Sequence, residues 1–227
     1  MSLVQIAGLL ADQTRAAFCL ALLDGRAWTA GELARHAGVS QSTASEHLSR
    51  LTAGGLLTEV RQGRHRYVRL AGPAVADLLE DLASFSPSTP SPQTLRESTR
   101  MSAEARARTC YDHLAGHLGV VVSDALLNLG LVVDRNGLSV SERGLEWFAD
   151  LGVSLPARRR SRPVVRSCLD WTERRTHLGG AAGAALCRTA FERQWVERIG
   201  SGRALRITPS GDRAFRELLA LDIHSII

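Results

Sequence analysis

TAGELARHAGVSQSTASEHLSRLTAGGLLTEVRQGRHRYVRL, residues 29–70, is the stretch on which the reading of the fold turns. It opens with Thr29 at an N-cap and Glu32 three residues on, a capping box that starts a helix carrying Leu33, Ala34 and Ala37 inward. Ala37-Gly38-Val39-Ser40 then turns the chain; Gly38 supplies the positive φ such a turn needs, and Ser40 caps a second helix. In that helix Ala44, Leu48 and Leu51 recur at helical spacing, while Gln41, Ser42, Thr43, Ser45, Glu46, Ser49 and Arg50 fill the other face. Those side chains hydrogen-bond but cannot pack a core, the property required of a helix lying in a DNA major groove.

Gly54-Gly55 stops the second helix. Leu57–Arg61 and Arg66–Leu70 follow as two short strands around residues 62–65, a hairpin crowded by Arg61, Arg64, Arg66 and Arg69. Helix, turn, helix and basic hairpin is the order of a winged helix-turn-helix. The expected DNA-contacting residues are Gln41, Ser42, Thr43, Ser45, His47 and Arg50 on the helix, with Arg64 and Arg66 on the wing reaching phosphate or minor groove.

The segments LLADQTR (9–15), VSQSTASEHL (39–48) and AGGLL (53–57) resemble the ArsR/SmtB family of bacterial repressors over about the first third of the chain. The resemblance implies a dimeric repressor that binds a double-stranded operator and leaves it when an effector binds. Glu46 departs from the family, where a basic or neutral residue is more usual; a carboxylate there repels phosphate but can accept from cytosine N4. The family's familiar metal ligands are also missing. Residues 32–37 read Glu-Leu-Ala-Arg-His-Ala, with no cysteine pair, and the helix expected over residues 73–82 has no histidine.

The 227 residues suffice for two small domains. Net charge is +5, yet all 28 basic residues are arginine, so the charge is weak support for a nucleic-acid partner beside the motif itself. No run approaches the length of a membrane span and no signal peptide opens the sequence, so a cytoplasmic, membrane-free protein is expected. Cys19, Cys110, Cys168 and Cys187 show no close pairing, which predicts free or ligating thiols.

Residues 3–10 and 14–23 read as helices that build the body of the first domain, and residues 73–82 as a further helix that in the resembled family helps dimerise. Ser and Pro dominate residues 84–94, marking a linker. Beyond it the chain repeats itself. LSVSERGLEWFADL (138–151) aligns without a gap on LRITPSGDRAFREL (205–218), each preceded by a hairpin pattern, and RTCYD (108–112) answers RSCLD (166–170). Likewise HLAGHLG (113–119) answers HLGGAAG (177–183). The expected fold class is mainly α with small β-hairpins (α+β). A winged helix-turn-helix domain (1–83) and a linker (84–98) precede a C-terminal sensor or dimerisation domain (99–227). The latter comprises two pseudo-symmetric helix/hairpin/helix halves, at about 101–152 and 163–222.

Ligand-capable residues gather in this duplicated region. Read as helical, Cys110, His113 and His117 fall within about 60° of one another, whereas Cys168 and His177 converge only if their helix bends or ends between them. Cys110, His113, Cys168 and His177 are the candidate ligands for a metal ion such as zinc. The alternatives are that both thiols are buried small hydrophobes, or that a small organic effector sits between the halves. No nucleophile elbow, phosphate loop or HExxH is present, so catalysis is not expected. The function expected is a sequence-specific, effector-controlled repressor. Its alternatives are a C-terminal carrier or enzyme fused to a DNA-binding module, and a nonspecific architectural protein.

Overall fold

A computed structural model describes residues 2–63, 65–84, 94–135, 137–156, 162–200 and 202–223. The chain divides into two compact units, Met1–Leu82 and Ala83–Ile227. Among the described residues no single helix is long and apolar enough to cross a membrane.

In the first unit, α1 (Leu3–Leu10) and α2 (Gln13–Ala21) lead through a short 3₁₀ turn to β1 (Trp28–Thr29). There follow α3 (Ala30–Ala37), α4 (Gln41–Ala53), β2 (Leu57–Gln62), β3 (His65–Leu70) and α5 (Pro73–Ser84). The capping box forms as expected: the Glu32 amide donates to Thr29 Oγ1, and the Glu32 carboxylate accepts from the Thr29 amide and hydroxyl. Gly38 ends α3 at φ +67°, and Ser40 caps α4 by accepting from the Thr43 amide at 3.1 Å. The wing pairs Leu57 with Leu70 through Gln62 with His65, and β1 adds to its far side, giving the sheet order β1-β3-β2. Phe18, Cys19, Leu22, Leu33, Ala44, Leu51 and Leu56 form the core beneath these elements.

The second unit starts earlier than the linker boundary implies, because α6 (Leu95–Arg106) occupies residues 95–98. The Ser/Pro run ends before it, and residues 95–106 contain neither Pro nor Gly to interrupt a helix. Copy one is β4 (Arg108–Cys110), β5 (His113–Ala115), α7 (Gly116–Asn128), β6 (Val132–Asp134), β7 (Leu138–Val140) and α8 (Glu142–Asp150). Copy two repeats it element for element as β8 (Arg166–Leu169), β9 (Thr176–Gly179), α9 (Gly180–Glu192), β10 (Val196–Arg198), β11 (Leu205–Ile207) and α10 (Pro209–Leu219). The expected helix ahead of each hairpin-helix pair is present, but a further hairpin precedes it. The helical reading of Cys110 with His113, and of Cys168 with His177, is thereby corrected. Strands of three residues buried on both sides, as β4 and β5 are, show no period-two alternation, so nothing in their pattern separated them from helix.

The two copies share one core. Leu118, Val122 and Leu126 of α7 and their counterparts Ala182, Leu186 and Ala190 of α9 join Phe148 of α8 and Phe215 of α10. Corresponding backbone features also recur. Ser141 and Thr208 cap α8 and α10 from their side chains, and each hydroxyl donates back to a carbonyl, Gly130 O at 2.7 Å and Gln194 O at 2.6 Å. Both acceptor residues are left-handed, Gly130 at φ +67° and Gln194 at φ +56°.

Candidate nucleic-acid interface and candidate metal centre

The apolar stripe Ala44, Leu48 and Leu51 anchors α4, which leaves Gln41, Ser42, Ser45, Glu46, Ser49 and Arg50 on its exposed face. Ser45 and Ser49 hydroxyls donate to the carbonyls of Gln41 and Ser45, so each is held by its own helix with lone pairs turned outward. Thr43 is half-buried and shares a 2.8 Å hydrogen bond with Ser40 Oγ.

His47 does not belong to that face. Its ring packs edge-on against Phe18 at 6.5 Å, and its Nδ1 lies 3.6 Å from Asp12 Oδ1 and 3.4 Å from Arg15 Nη1. Being three residues from Ala44 and four from Leu51, His47 falls on the inner side of the helix, and its assignment to the groove is corrected. Arg15, which the sequence reading passed over, is the post it leans on: buried, it donates from Nε to Leu9 O at 2.6 Å and from Nη2 to Gly8 O at 2.9 Å. A hydrogen bond from the Arg15 amide, joined by nearby positive charge, holds Asp12 below the usual carboxylate range.

The basic surface is less cationic than its arginine count implies. Arg50 Nη2 meets Glu46 Oε1 at 2.6 Å one turn away, and Arg66 is ion-paired with Glu59 across the wing. A phosphate must compete with these carboxylates for both guanidiniums. Arg64 lies outside the described residues.

In the second unit the hairpin registers place Cys110 opposite His113 and Cys168 opposite His177. Directly opposed residues project to one face, so each hairpin offers one thiol and one imidazole together. The two hairpins bring these pairs into contact. Cys110 Sγ lies 3.7 Å from Cys168 Sγ, the imidazole centroids are 5.0 Å apart, and all four potential ligand atoms lie within 4.8 Å of one another. None of the four residues is more than 3% exposed. His117 stands apart on α7, half-buried, with Nδ1 2.9 Å from Glu173 Oε2. Ala115 is the apolar neighbour of both thiols, but two imidazoles flank them as well, so their surroundings are not those of plain core cysteines.

Glycine makes this approach possible. A Cβ on Gly183 of α9 would lie 3.2 Å from His113 Cβ, and one on Gly119 of α7 3.6 Å from His177 Cβ, so each histidine rests on the other copy's helix. The same Cβ atoms would sit 2.2 Å from Leu178 O and 2.5 Å from Leu114 O. Packing therefore demands the His-Leu-x-Gly-x-x-Gly spacing shared by the two copies.

Each imidazole also faces a carboxylate. His113 Nδ1 is 3.3 Å from Asp112 Oδ1, and His177 Nδ1 is 3.4 Å from Asp170 Oδ2, an ion-pair distance without hydrogen-bond alignment. Arg162 clamps Asp112, with Nη2 at 2.8 Å from Oδ1. Asp170 accepts from Arg108 Nη2 at 2.9 Å, the Gly116 amide at 2.7 Å and the Thr172 amide and hydroxyl. Burial alone would raise Asp112, but Arg162 and His113 hold it at about 2. Burial opposes charge on His113 as well, yet Asp112 and Cys168 hold its proton up to about 9. The Cys110 hydrogen bond, aided by both imidazoles, keeps Cys168 far below the usual thiol range. Desolvation pushes the isolated thiols the other way, Cys19 to about 11 and Cys187 to about 12. The acidic partners were visible as the second residue after each cysteine in the repeat; their roles were not, because nothing local identifies the arginine that holds each one.

A cleft of about 620 Å³ lies elsewhere in this unit, lined by Arg106 and Ala107 near α6, Leu205 and Ile207 of β11, and Arg213 of α10. It does not reach the four-residue cluster.

The Helix-turn-helix domain family profile matches residues 10–60. The chain is similar to the HTH-type transcriptional regulator YdfF of Bacillus subtilis (strain 168), with 40% identity over 225 residues, 98% of this chain and 99% of that protein. It is similar to the HTH-type transcriptional regulator CmtR of Mycobacterium bovis, at 38% identity over 81 residues, 36% of this chain and 68% of that one. Among solved structures it resembles the homodimeric winged helix-turn-helix domain of Mb0332 from Mycobacterium bovis. That match has 30% identity and a TM-score of 0.33, and covers 35% of this chain and 73% of that one. With its helix pair and wing in place and a relative matched along almost its whole length, the chain belongs to the HTH-type transcriptional regulators and carries an ArsR/SmtB-type winged helix at its N-terminus.

Proposed function

We propose that this regulator is a sequence-specific repressor that binds operator DNA as a homodimer and whose occupancy is set by an effector sensed in residues 83–227. The observation that carries the DNA-binding half is the exposed face of α4. Six polar side chains stand there on a buried apolar stripe, beside a basic two-stranded wing. Dimerisation is supported by α1, none of whose residues is buried; Leu3 and Val4 are 81% and 80% exposed, and Leu82 at the end of α5 is 49% exposed. The sensing half is supported by the junction of the two repeats, where two buried thiols and two buried imidazoles are gathered with their potential ligand atoms within 4.8 Å of one another.

Selection of bound sequences from randomised duplex DNA, followed by titration of the selected and a scrambled duplex at several salt concentrations, tests the first half. A repressor prefers the selected duplex by roughly 10³-fold or more; equal affinity for both would make it an architectural protein. Sedimentation of the free and DNA-bound chain reads the oligomeric state.

A further inference from the structure

We propose that Cys110, His113, Cys168 and His177 form a four-coordinate site for a borderline divalent cation of the zinc class, and that this ion is the effector. The second clause rests on the reading of residues 83–227 as a sensor; the first does not.

Geometry, an unmet bonding requirement and charge all support the site. Tetrahedral zinc at about 2.3 Å from each thiolate places the sulfurs about 3.8 Å apart, and Cys110 Sγ and Cys168 Sγ stand at 3.7 Å. His113 Nε2 and His177 Nε2 are buried with no hydrogen-bond partner, in residues 3% and 2% exposed, and both face the thiols. An imidazole nitrogen without a partner in a dry core is costly, and a cation satisfies both at once. Two thiolates and two neutral imidazoles cancel a divalent charge, so the occupied site is neutral where an unbalanced charge would be expensive.

The surroundings complete the pattern. Asp112 and Asp170 stand at the Nδ1 atoms of His113 and His177, which leaves Nε2 of each ring for the metal, and Arg162 and Arg108 fix the carboxylates. Carboxylates in this position orient metal-bound histidines and strengthen them as ligands. An organic effector fits the junction poorly, because the four side chains are in mutual reach and nearly solvent-free. Four protein ligands leave no open position, so the ion would not act catalytically. Each copy of the repeat contributes one cysteine and one histidine, and the ion therefore bridges β4–β5 to β8–β9 and selects one arrangement of the two copies.

The test uses the full chain, stripped with chelator under reductant and titrated with Co²⁺ and then Zn²⁺. One equivalent of Co²⁺ should give intense tetrahedral d–d bands and a thiolate charge-transfer band, and Zn²⁺ should displace it. Cys110→Ser with Cys168→Ser should abolish the charge-transfer band, while Cys187→Ala should retain it. Asp112→Asn should keep the spectral shape but weaken metal binding by about 10- to 100-fold. If the double variant does not fold, His113→Gln is the second reading, expected to shift the d–d bands of a folded chain. No uptake, uptake unchanged by these substitutions, or a Cys110–Cys168 disulfide in a chain that takes up no metal overturns the site. Titrating the selected duplex with and without Zn²⁺ should show at least a tenfold change in affinity. A loaded site with unchanged DNA affinity overturns the effector assignment and leaves the metal centre standing.

Discussion

Arg108 and Asp170, one from each copy of the repeat, form an ion pair 2.9 Å long in which the two side chains are 1% and 0% exposed. The guanidinium also lies over the Trp171 ring at 4.7 Å, and Asp170 simultaneously accepts from the Gly116 amide at the start of α7. Removing one partner of a buried pair strands the other charge, so Asp170→Asn should cost about 3–5 kcal/mol. The melting midpoint of this unit should fall by roughly 10 °C. Adding Arg108→Gln should cost far less in the Asp170→Asn background than in the parent, since the stranded charge is then gone. Additive effects in a thermal double-mutant cycle would dismiss the pair as a coupled unit.

Gly144 of α8 and Gly211 of α10, which align in the repeat, should resist substitution. A Cβ at either would lie 2.0 Å from a backbone carbonyl, Leu131 O or Trp195 O. Gly144→Ala and Gly211→Ala should each destabilise by about 1–3 kcal/mol or more. Gly8→Ala on exposed α1, where nothing lies within 4 Å, should stabilise by about 0.5–1 kcal/mol. Denaturant midpoints report all three, and a stable Gly211→Ala would mean that α10 is not pressed against that carbonyl.

On the DNA face, Arg50→Ala should weaken selected and scrambled duplexes alike and lower the salt slope by about one unit. Ser42→Ala and Gln41→Ala should instead change which sequences are preferred. Glu46→Gln frees Arg50 from its 2.6 Å partner and removes an anion from the surface. Tighter nonspecific binding is expected from it, and weaker binding would assign the carboxylate a base contact.

The α3 capping box should show a defined pH dependence. The Thr29 amide, then its hydroxyl, donate to Glu32 and hold its carboxyl below the usual range. A depressed folded value means that the contribution is present at neutral pH, above the unfolded value, and is lost as pH falls through the folded one. Thr29→Ala should cost about 1 kcal/mol at pH 7 and less at pH 3. Equal costs at the two pH values would detach the effect from the carboxylate.

Cys19 and Cys187 should be inert to alkylation in the folded chain. Burial pushes them to about 11 and about 12, so at pH 8 about one thousandth or less of either is thiolate. Mass mapping after iodoacetamide should find these two labelled only under denaturant. Rapid native labelling would contradict their burial.

By itself the sequence determined what short-range chemistry sets. Thr29 with Glu32, Gly38, Ser40 and the apolar period of α4 wrote the helix-turn-helix, and the gapless match of residues 138–151 to 205–218 wrote the repeat, because caps, turns and periodicity act over a few residues. It also named the four candidate ligands, but by type and not by place: the strands that carry them are three or four residues long and buried, so their pattern does not distinguish strand from helix. Only the tertiary structure put Cys110 opposite His113 and Cys168 opposite His177, laid each histidine on the other copy's helix glycine, and paired Arg108 with Asp170. It also turned His47 inward onto Phe18 and Asp12. Those relationships join residues from 3 positions apart, as in Cys110 and His113, to 70 apart, as in His113 and Gly183, through register and packing, and no local preference of either partner contains them.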